Sequence, residues 1–329
     1  MIDNYVINRA MNISILALEG VFDTGLATVL DAFATANELS QMANIQSPGY
    51  NISVVGVRPQ VHSSLGMTVP VIATTEGPSP DWVIIPAIGY KMPDPLLEAL
   101  AREDVQESCH IIREWSEAGA GIAAACIGTF VLAESGVLNQ FEATTTWWLT
   151  PLFRQRYPEV RLDSNRIIVP SGKFLTAGAG LSHIDLALWM IRQNNPELAS
   201  LVAKYLIVDS RPSQSVYIIS DHLAHTDPMV ERFDHWVRDN LNRSLTLDEA
   251  AAELATSKRT LSRRMSEVVG KTPIAYIQDL RVERAVHLLK TSNHSVDRIA
   301  EMVGYNDGVT LRTLLRRRLG KGVRELRDA

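Results

Sequence analysis

The sequence Leu245-Thr246-Leu247-Asp248-Glu249 opens the stretch, Ser244 to Arg327, that decides how the last third of this chain folds. Thr246 followed three residues later by Glu249 forms a capping box, which marks the start of a helix. A break at Thr256-Ser257 leads into a second helix, residues 258–268. Each helix has one apolar face, formed by Leu247, Ala250, Ala251 and Leu254 in the first and by Leu261, Met265 and Val268 in the second. The stretch therefore predicts two short helices joined by a tight turn.

The same arrangement returns about fifty residues further along the chain. Ser295 is placed to cap a helix whose apolar residues are Val296, Ile299, Ala300 and Val303. The run Gly304-Tyr305-Asn306 breaks that helix, and another follows from about residue 307 to residue 319. Its Leu311 and Leu315 stand where the first copy has Leu261 and Met265. Two helix-turn-helix pairs are therefore predicted.

The outward faces of the two second helices carry residue types that contact DNA. A short helix held at a tight turn fits the major groove, where Arg is the usual partner of guanine. The basic run Arg316-Arg317-Arg318 at the end of the second copy suits phosphates better than bases. The alternative is a solvated basic helical bundle. We predict DNA contacts from Lys258, Arg259, Ser262, Arg263, Val309, Arg312, Thr313, Arg316 and Arg317.

Residues 234–329 resemble the DNA-binding domain of the AraC/XylS family of bacterial transcription regulators. The resemblance rests on RTLSRR (259–264), GKTPIAY (270–276), LRVERA (280–285) and IAEMVGY (299–305). It implies binding to promoter DNA, a homodimer, and contact with RNA polymerase if the protein is an activator. The chain departs from the family in lacking a Pro and an aromatic residue after Gly320, and in having Thr313 where Arg is common. Base reading is therefore expected to depend more on the first unit than on the second.

Composition and charge limit the number of domains and the kinds of partner that the chain can have. A length of 329 residues predicts about two domains. The overall charge of −5 divides into +5 from residue 234 onward and −10 before it, as expected if one module meets nucleic acid and the other does not. Chance segregation of charge is the alternative. Two cysteines make no disulfide framework, and neither a signal peptide nor a membrane span is indicated, so a cytoplasmic protein is expected.

The region before residue 207 alternates short apolar runs with longer helical periods. Strands are predicted at residues 13–18, 52–57, 81–86 and 121–125, and helices at 25–39, at 95–118 with a break, and from 127. This alternation predicts an α/β domain, a flavodoxin-like and mostly parallel sheet with helices on both faces. We expect this domain at 12–206, a polar linker at 207–233 and an all-α DNA-binding domain at 234–329.

The run Ala125-Cys126-Ile127-Gly128 lies where a buried strand meets a helix. A Cys at that place, with Gly two residues later, is typical of a nucleophile elbow at the carboxyl edge of the sheet, where ligands bind in such folds. The helix N-terminus is expected to favour a thiolate. The alternative is an ordinary core cysteine, which is common.

Residues 12–206 resemble the ThiJ/PfpI-like amidotransferase domain, and the combination with an AraC-type tail resembles the GlxA group of regulators. The resemblance rests on CIGTFVLAESGVL (126–138), ATAN (34–37), ATT (143–145) and IDLAL (184–188). In catalytic relatives a His follows the Thr-Thr pair, and here Thr146 stands there, so the Cys-His pair for nucleophilic catalysis is missing. The usual Gly-Gly of the oxyanion site reads Ala87-Ile88-Gly89. His183 is the one residue considered as a replacement base.

These features predict that the pocket around Cys126 is retained and that its catalytic base is missing. Asp23 or Glu19 is expected to face Cys126, and Trp147 or Trp148 to wall the site, which suits a small amine by ion pairing and cation–π contact. Two core Trp residues and an ordinary loop acid are the alternative. No metal or cofactor is expected, because neither metal-ligand spacing nor a phosphate-binding glycine loop occurs. A Cys-dependent hydrolase, amidase or glyoxalase with an appended DNA-binding domain is the competing hypothesis. The expected effector-site residues are Asp23, Ile88, Gly89, Cys126, Ile127, Trp147 and His183.

Overall fold

The computed structural model describes residues 9–209, 211, 214, 227–320 and 322–327. The chain divides into two compact units, residues 1–214 and 215–329. Each unit has its own buried apolar core. None of the helices within the described residues is long and apolar enough to cross a bilayer.

A seven-stranded sheet forms the centre of the first unit. The strands are β1 (Met11–Leu16), β2 (Tyr50–Gly56), β3 (Gln60–His62), β4 (Thr68–Pro70), β5 (Ile72–Ala73), β6 (Trp82–Ile85), β7 (Gly121–Ala125), β8 (Glu142–Ala143), β9 (Arg161–Leu162), β10 (Ile168–Ser171) and β11 (Phe174–Ala177). The main sheet has the order β10-β11-β7-β6-β1-β2-β5. All its pairs are parallel except β10 with β11. The pairs β3-β4 and β8-β9 lie outside it.

Helices cover both faces of this sheet. They are α1 (Asp23–Met42), α2 (Pro93–Leu100), α3 (Glu103–Glu117), α4 (Gly128–Glu134), α5 (Thr150–Arg156), α6 (Ser182–Asn194) and α7 (Pro196–Tyr205), with a 3-10 helix at Trp147–Leu149. Side chains alternate between the faces, as the strand period requires. Val83 and Ile85 join the core under α2 to α5, whereas Ile84 joins the core under α1, α6 and α7. The predicted α/β fold is confirmed.

The observed bounds differ from the predicted ones at the ends of elements. The first strand ends at Leu16, two residues before the predicted end, although Leu18 is itself buried. The first helix is longer than predicted, Asp23–Met42. The helical region predicted at 95–118 is two helices, α2 and α3, because the chain turns after Leu100 and restarts at Glu103. The predicted strand at 121–125 matches β7.

The second unit is helical throughout its described elements. These are α8 (Pro228–Asp239), α9 (Leu247–Glu253), α10 (Lys258–Val268), α11 (Pro273–Thr291), α12 (Val296–Met302), α13 (Gly308–Leu319) and α14 (Val323–Arg327). The pairs α9-α10 and α12-α13 are the two predicted helix-turn-helix units, and α11 runs between them. The capping box of Thr246 and Glu249 is present, and Ser295 caps α12 by accepting a hydrogen bond from Arg298 N. The predicted apolar faces are buried, with Leu261, Met265, Ile299 and Leu311 fully so.

The predicted linker, residues 207–233, contains segments that pack against neighbouring structure. Arg211 and Gln214 make hydrogen bonds within the first unit, and α8 begins at Pro228 in the second. Ser210, Pro212, Ser213 and Ser215, part of the polar run expected to form the connector, lie outside the described residues.

Candidate functional site

Cys126 lies in a strained turn between β7 and α4. Its φ of 56° is in the left-handed region, which residues with a side chain rarely adopt. The amide of Cys126 donates to Ala177 O at 2.9 Å, so β11 fixes the turn from one side. Gly128 makes the close approach of α4 possible, because a Cβ at this position would lie 2.2 Å from Ile85 O. The turn has the geometry of a nucleophile elbow.

The Cys126 thiol is buried, and burial determines whether it is a thiol or a thiolate at neutral pH. Burial raises its pKa, and nearby polar groups of Gly180, Ile127 and Thr146 offset that rise only in part. The expectation that the helix N-terminus favours a thiolate is therefore wrong for this structure, because desolvation outweighs the donors. The side chain is a neutral thiol at neutral pH.

Two buried hydroxyls accompany the elbow. Thr146, which occupies the position of the catalytic His in relatives, is fully buried, and so is Thr129 on the first turn of α4. Neither hydroxyl oxygen has a hydrogen bond of standard geometry within the described residues. Thr146 still acts on the neighbouring Cys126 thiol and offsets part of the rise in its pKa. Buried hydroxyls are usually paired, so the Thr129 hydroxyl is available to a bound molecule or to water.

His183 is held as a neutral structural residue. The amide of Ala87 donates to its Nε2 at 3.2 Å, so its Nδ1 carries the proton and faces Gly180 O at 2.8 Å. The ring is fully buried, and burial lowers its pKa to about 4. Both ring nitrogens are engaged by the backbone, so His183 cannot accept the proton of Cys126 without losing these bonds.

The backbone at Ala87-Ile88-Gly89 is largely committed to internal hydrogen bonds. Gly89 N donates to Gly20 O at 2.7 Å, and Ala87 N is the donor to His183. Ile88 is buried and pairs with Val21 in an isolated antiparallel bridge. Two of the three backbone amides of this segment are therefore already used.

The two acids near the first strand bind the segment after β3. Asp23 is buried, and its carboxylate accepts hydrogen bonds from Ser63, from Ser64 at 2.6 Å and from Leu65 N at 3.1 Å. Burial acts to raise the pKa of Asp23, but these hydrogen bonds outweigh it and hold the pKa below its ordinary value. Glu19 accepts from His62 N at 2.9 Å. Neither carboxylate has a hydrogen bond to Cys126 among the described residues.

Trp147 follows Thr146 directly, on the 3-10 helix. It is mostly buried and packs edge-on against Trp148, with ring centroids 5.4 Å apart. Trp148 Nε1 donates to Lys91 O at 3.2 Å, which ties this segment to the loop after β6. The aromatic pair therefore lies between two of the loops at the carboxyl edge of the sheet.

Three of the predicted site residues, Cys126, Ile127 and His183, come together at Gly180. Cys126 and Ile127 lie beside Thr146, and His183 joins α6 to the loop after β6 through Ala87. Gly180 touches both Cys126 and His183, because its carbonyl accepts from His183 and its backbone acts on the Cys126 thiol. Asp23 and Gly89 instead bond to Ser63, Ser64 and Gly20. Sequence reasoning missed this role of Gly180 and missed the partners of Asp23. The only sequence signal for the latter was turn chemistry at Ser63-Ser64-Leu65-Gly66.

The first DNA-facing helix, α10, presents a basic surface to solvent. Lys258, Arg259 and Arg263 are exposed, and Ser262 is partly so. Lys258 pairs with Asp248 at 2.8 Å and Arg263 with Glu267 at 2.9 Å. Exposed pairs of this kind contribute little stability, so phosphates or bases can replace the carboxylates.

The second DNA-facing helix, α13, is poorer in cations at its start. Val309 is 67% exposed, and Arg312, Thr313, Arg316 and Arg317 are also exposed. The Thr313 hydroxyl donates to Val309 O at 3.0 Å, so it is occupied by the helix itself. Gly308 lets α13 approach α12, since a Cβ there would lie 2.6 Å from Asp297 Oδ1.

Arg318 does not belong to the DNA-facing surface. Its side chain pairs with Asp279 at 3.3 Å and donates to Gln278 at 3.0 Å, both on α11. Lys271 reaches the same Asp279 at 2.6 Å. The expectation that the whole run 316–318 contacts phosphates is therefore wrong for Arg318, which holds α13 against α11.

Comparisons with known proteins agree with this arrangement. A helix-turn-helix domain model matches residues 250–329. The HTH-type transcriptional regulator ArgR of Pseudomonas aeruginosa is 26% identical over 221 residues, covering 66% of this chain and 67% of the relative. The HTH-type transcriptional regulator GbdR of the same species is 23% identical over 300 residues, covering 89% of this chain and 78% of the relative.

A solved structure supports the fold of the first unit. A ThiJ/PfpI family protein from Pseudomonas syringae, 17% identical, has a TM-score of 0.51 and covers 70% of this chain and 90% of its own. The chain is therefore similar to AraC-type DNA-binding transcription regulators, and it joins a domain with the fold of ThiJ/PfpI family proteins to a helix-turn-helix domain.

Proposed function

We propose that the first unit binds a small metabolite at the elbow around Cys126 without converting it, and that binding changes how the helix-turn-helix pairs engage promoter DNA. The observation that carries the proposal is Thr146 at the position of the catalytic base, buried beside a thiol that burial keeps neutral. A hydroxyl does not remove a proton near neutral pH, so nucleophilic chemistry has no base there. The buried Thr129 hydroxyl has no hydrogen bond within the described residues, and the Thr146 hydroxyl lies beside the Cys126 thiol, so both are placed to meet a ligand at the elbow.

A small amine is the ligand class that the surroundings favour, such as an amino acid or a quaternary amine. Asp23 is anionic at neutral pH because its pKa is held low. Trp147 supplies an aromatic ring on the segment that follows Thr146. A carboxylate and an aromatic ring together suit a cation. Ile88, Gly89 and Ile127 supply apolar wall and backbone at the same edge.

On DNA, α10 and α13 are proposed to enter successive major grooves. Base contacts come from Arg259, Ser262 and Arg263 on α10 and from Val309, Arg312 and Thr313 on α13. Lys258, Arg316 and Arg317 contact phosphates. A homodimer fits the two-fold symmetry of many operators, and RNA polymerase is a partner if the protein activates transcription.

A thermal-shift screen tests the sensing half of this proposal. Amino acids, polyamines and betaines are added to the full-length protein, and a compound that binds the folded state raises the Tm. The compound found is then tested on Thr146→Val, which keeps the shape of the side chain and removes the hydroxyl. A Tm shift that is unchanged in Thr146→Val and in Asp23→Asn places the ligand elsewhere and overturns the proposed site.

The strained backbone at Cys126 favours one competing function, a Cys-dependent hydrolase or glyoxalase. Turnover of dipeptide amides and of ketoaldehydes by the full-length protein tests it. Activity that disappears in Cys126→Ser would establish the enzyme, and an inactive wild type supports sensing.

A further inference from the structure

Gln214 lies on the chain that leads out of the first unit, and its side chain is inserted into that unit. It is 3% exposed, although it sits in a stretch whose composition predicts a solvated linker. The backbone amide of Gln214 donates to Asn165 O at 2.9 Å. Gly178 leaves room for the inserted side chain, because a Cβ there would lie 2.6 Å from Gln214 Oε1.

The amide group of Gln214 bridges three loops, which follow β8, β9 and β11. Its Nε2 donates to Thr145 O at 3.0 Å and to Ser164 O at 3.0 Å, while its Oε1 accepts from Ala179 N at 3.0 Å. Nε2 also lies 3.2 Å from Thr144 Oγ1. A buried amide with donors and acceptors engaged is costly to remove, so this side chain holds the three loops together.

Two of these loops, the one after β8 and the one after β11, border Cys126. The Thr145 hydroxyl donates to Cys126 O at 2.7 Å, and Thr146 is the next residue. The other loop follows Ala177, whose carbonyl accepts from Cys126 N at 2.9 Å. On one side, only Thr145 lies between Gln214 and Cys126 in this chain of hydrogen bonds. On the other side, the link runs through residues 177–179.

Arg211 provides a second attachment of the departing chain to the same region. Its guanidinium donates to Leu181 O at 3.0 Å and pairs with Asp185. Both partners lie near the start of α6, beside His183. Arg211 and Gln214 therefore attach the departing chain at two points to the segment that runs from β11 into α6.

Entry of a ligand to the elbow requires these loops to move, because Cys126 is 4% exposed and Thr146 is fully buried. Movement of either loop changes the distances across which Gln214 bridges them. We propose that Gln214 is a positioning residue that couples the elbow to the chain leading to the DNA-binding unit, so that occupation of the elbow weakens the attachment of Arg211 and Gln214. This coupling rests on the proposed sensing function, and it is reciprocal, since loss of the attachment also loosens the elbow.

The reactivity of the Cys126 thiol tests the coupling in the full-length protein. Methyl methanethiosulfonate is the probe, and peptide mass mapping separates Cys126 from Cys109, which is also buried. Gln214→Ala should speed labelling of Cys126 about fivefold or more, because a buried hydrogen-bonded bridge that limits opening is lost. The matched control is Asn37→Ala, which removes an amide that donates to and accepts from Tyr50 at 2.9 Å, at the amino end of β2.

A second measurement needs no variant. Hydrogen exchange is compared between wild-type protein with a free Cys126 and with a methylthio-labelled Cys126. The coupling predicts faster exchange in the peptide that contains residues 211–214, with no change in the peptide that contains Asn37 and Tyr50.

Two results would overturn the coupling. One is a Cys126 labelling rate in Gln214→Ala that equals that of Asn37→Ala. The other is unchanged hydrogen exchange, after labelling of Cys126, in the peptide that contains residues 211–214. This second result uses wild-type protein, so it tests the coupling even if Gln214→Ala does not fold. Either result leaves effector binding at the elbow intact. A chain that shows the coupling but responds to no amine or amino acid would instead remove only the proposed effector.

Discussion

His183 Nε2 accepts the backbone amide of Ala87 at 3.2 Å, and this bond joins α6 to the loop that follows β6. The opposite ring nitrogen donates to Gly180 O at 2.8 Å. A residue considered from sequence as a catalytic base is therefore a bridge between two loops at the carboxyl edge of the sheet. It shapes the elbow by fixing backbone and exchanges no proton there.

The pKa of His183 predicts how the stability of the first unit depends on pH. Its folded pKa of about 4 lies below the ordinary value of 6.5, so the unfolded chain takes up the proton first as the pH falls. The contribution of neutral His183 to the free energy of unfolding is complete above pH 6.5. It is lost as the pH falls toward the folded pKa of about 4. Between pH 7 and pH 5 the free energy of unfolding should decrease by about 2 kcal/mol on this account.

Urea unfolding at the two pH values measures this decrease. Tryptophan fluorescence reports mainly on the first unit, since five of the six Trp residues lie before residue 215. The control is His183→Gln, which keeps a neutral side chain that donates and accepts but does not titrate. An equal loss of stability in the variant and the wild type would show that His183 is not the source.

Gly25 on α1 packs directly against the His183 ring. A Cβ at Gly25 would lie 2.6 Å from His183 Nε2, and the buried ring has no room to move away. Gly25→Ala should therefore destabilise the first unit by about 1–3 kcal/mol, despite the higher helix propensity of Ala. Gly49→Ala is the control, because its nearest atoms would be 3.9 Å from the new Cβ. Equal urea midpoints for the two variants would contradict the predicted overlap.

Local signals in the sequence predicted the elements whose stability is local. Short continuous apolar runs identified β6 and β7, and the Thr246 capping box and Ser295 cap placed the helix-turn-helix starts. These signals depend on neighbours within about four residues along the chain. For that reason the fold of both units was predicted well, and the ends of strands less well.

The details of the elbow depend on contacts between distant segments. Asp23 meets Ser63 and Ser64 about forty residues further on, and Gln214 meets Thr145 across about seventy. The sequence also could not predict that burial would outweigh the helix N-terminus at the Cys126 thiol, since the two effects oppose each other and only the packing decides. The turn residues at Ser63-Ser64-Leu65-Gly66 mark a turn but not its partner Asp23, and no local pattern marks the contact of Gln214 with Thr145.

Arg263 on α10 is predicted to read a base. Its side chain is exposed and held by Glu267 at 2.9 Å, a pair that DNA can replace. Arg263→Ala should weaken binding to the operator by about 1–3 kcal/mol and relax sequence preference at one position. Footprinting and selection from random duplexes measure both effects. Arg298→Ala is the matched control, because Arg298 is equally exposed and paired at 2.8 Å with Glu301, but lies on α12. An Arg263→Ala footprint as strong as that of the control would refute base reading.

Arg316, near the end of α13, is predicted to contact a phosphate. It is exposed and follows the turn of the helix that carries Arg312. A phosphate contact carries no sequence information, so Arg316→Ala should weaken specific and nonspecific duplexes alike. The slope of log affinity against log salt should become shallower by about one. Arg318→Ala gives the contrast, because Arg318 is held by Asp279 and Gln278 and should alter stability while leaving the salt slope unchanged. Equal salt slopes for Arg316→Ala and the wild type would show that Arg316 does not reach the backbone of DNA.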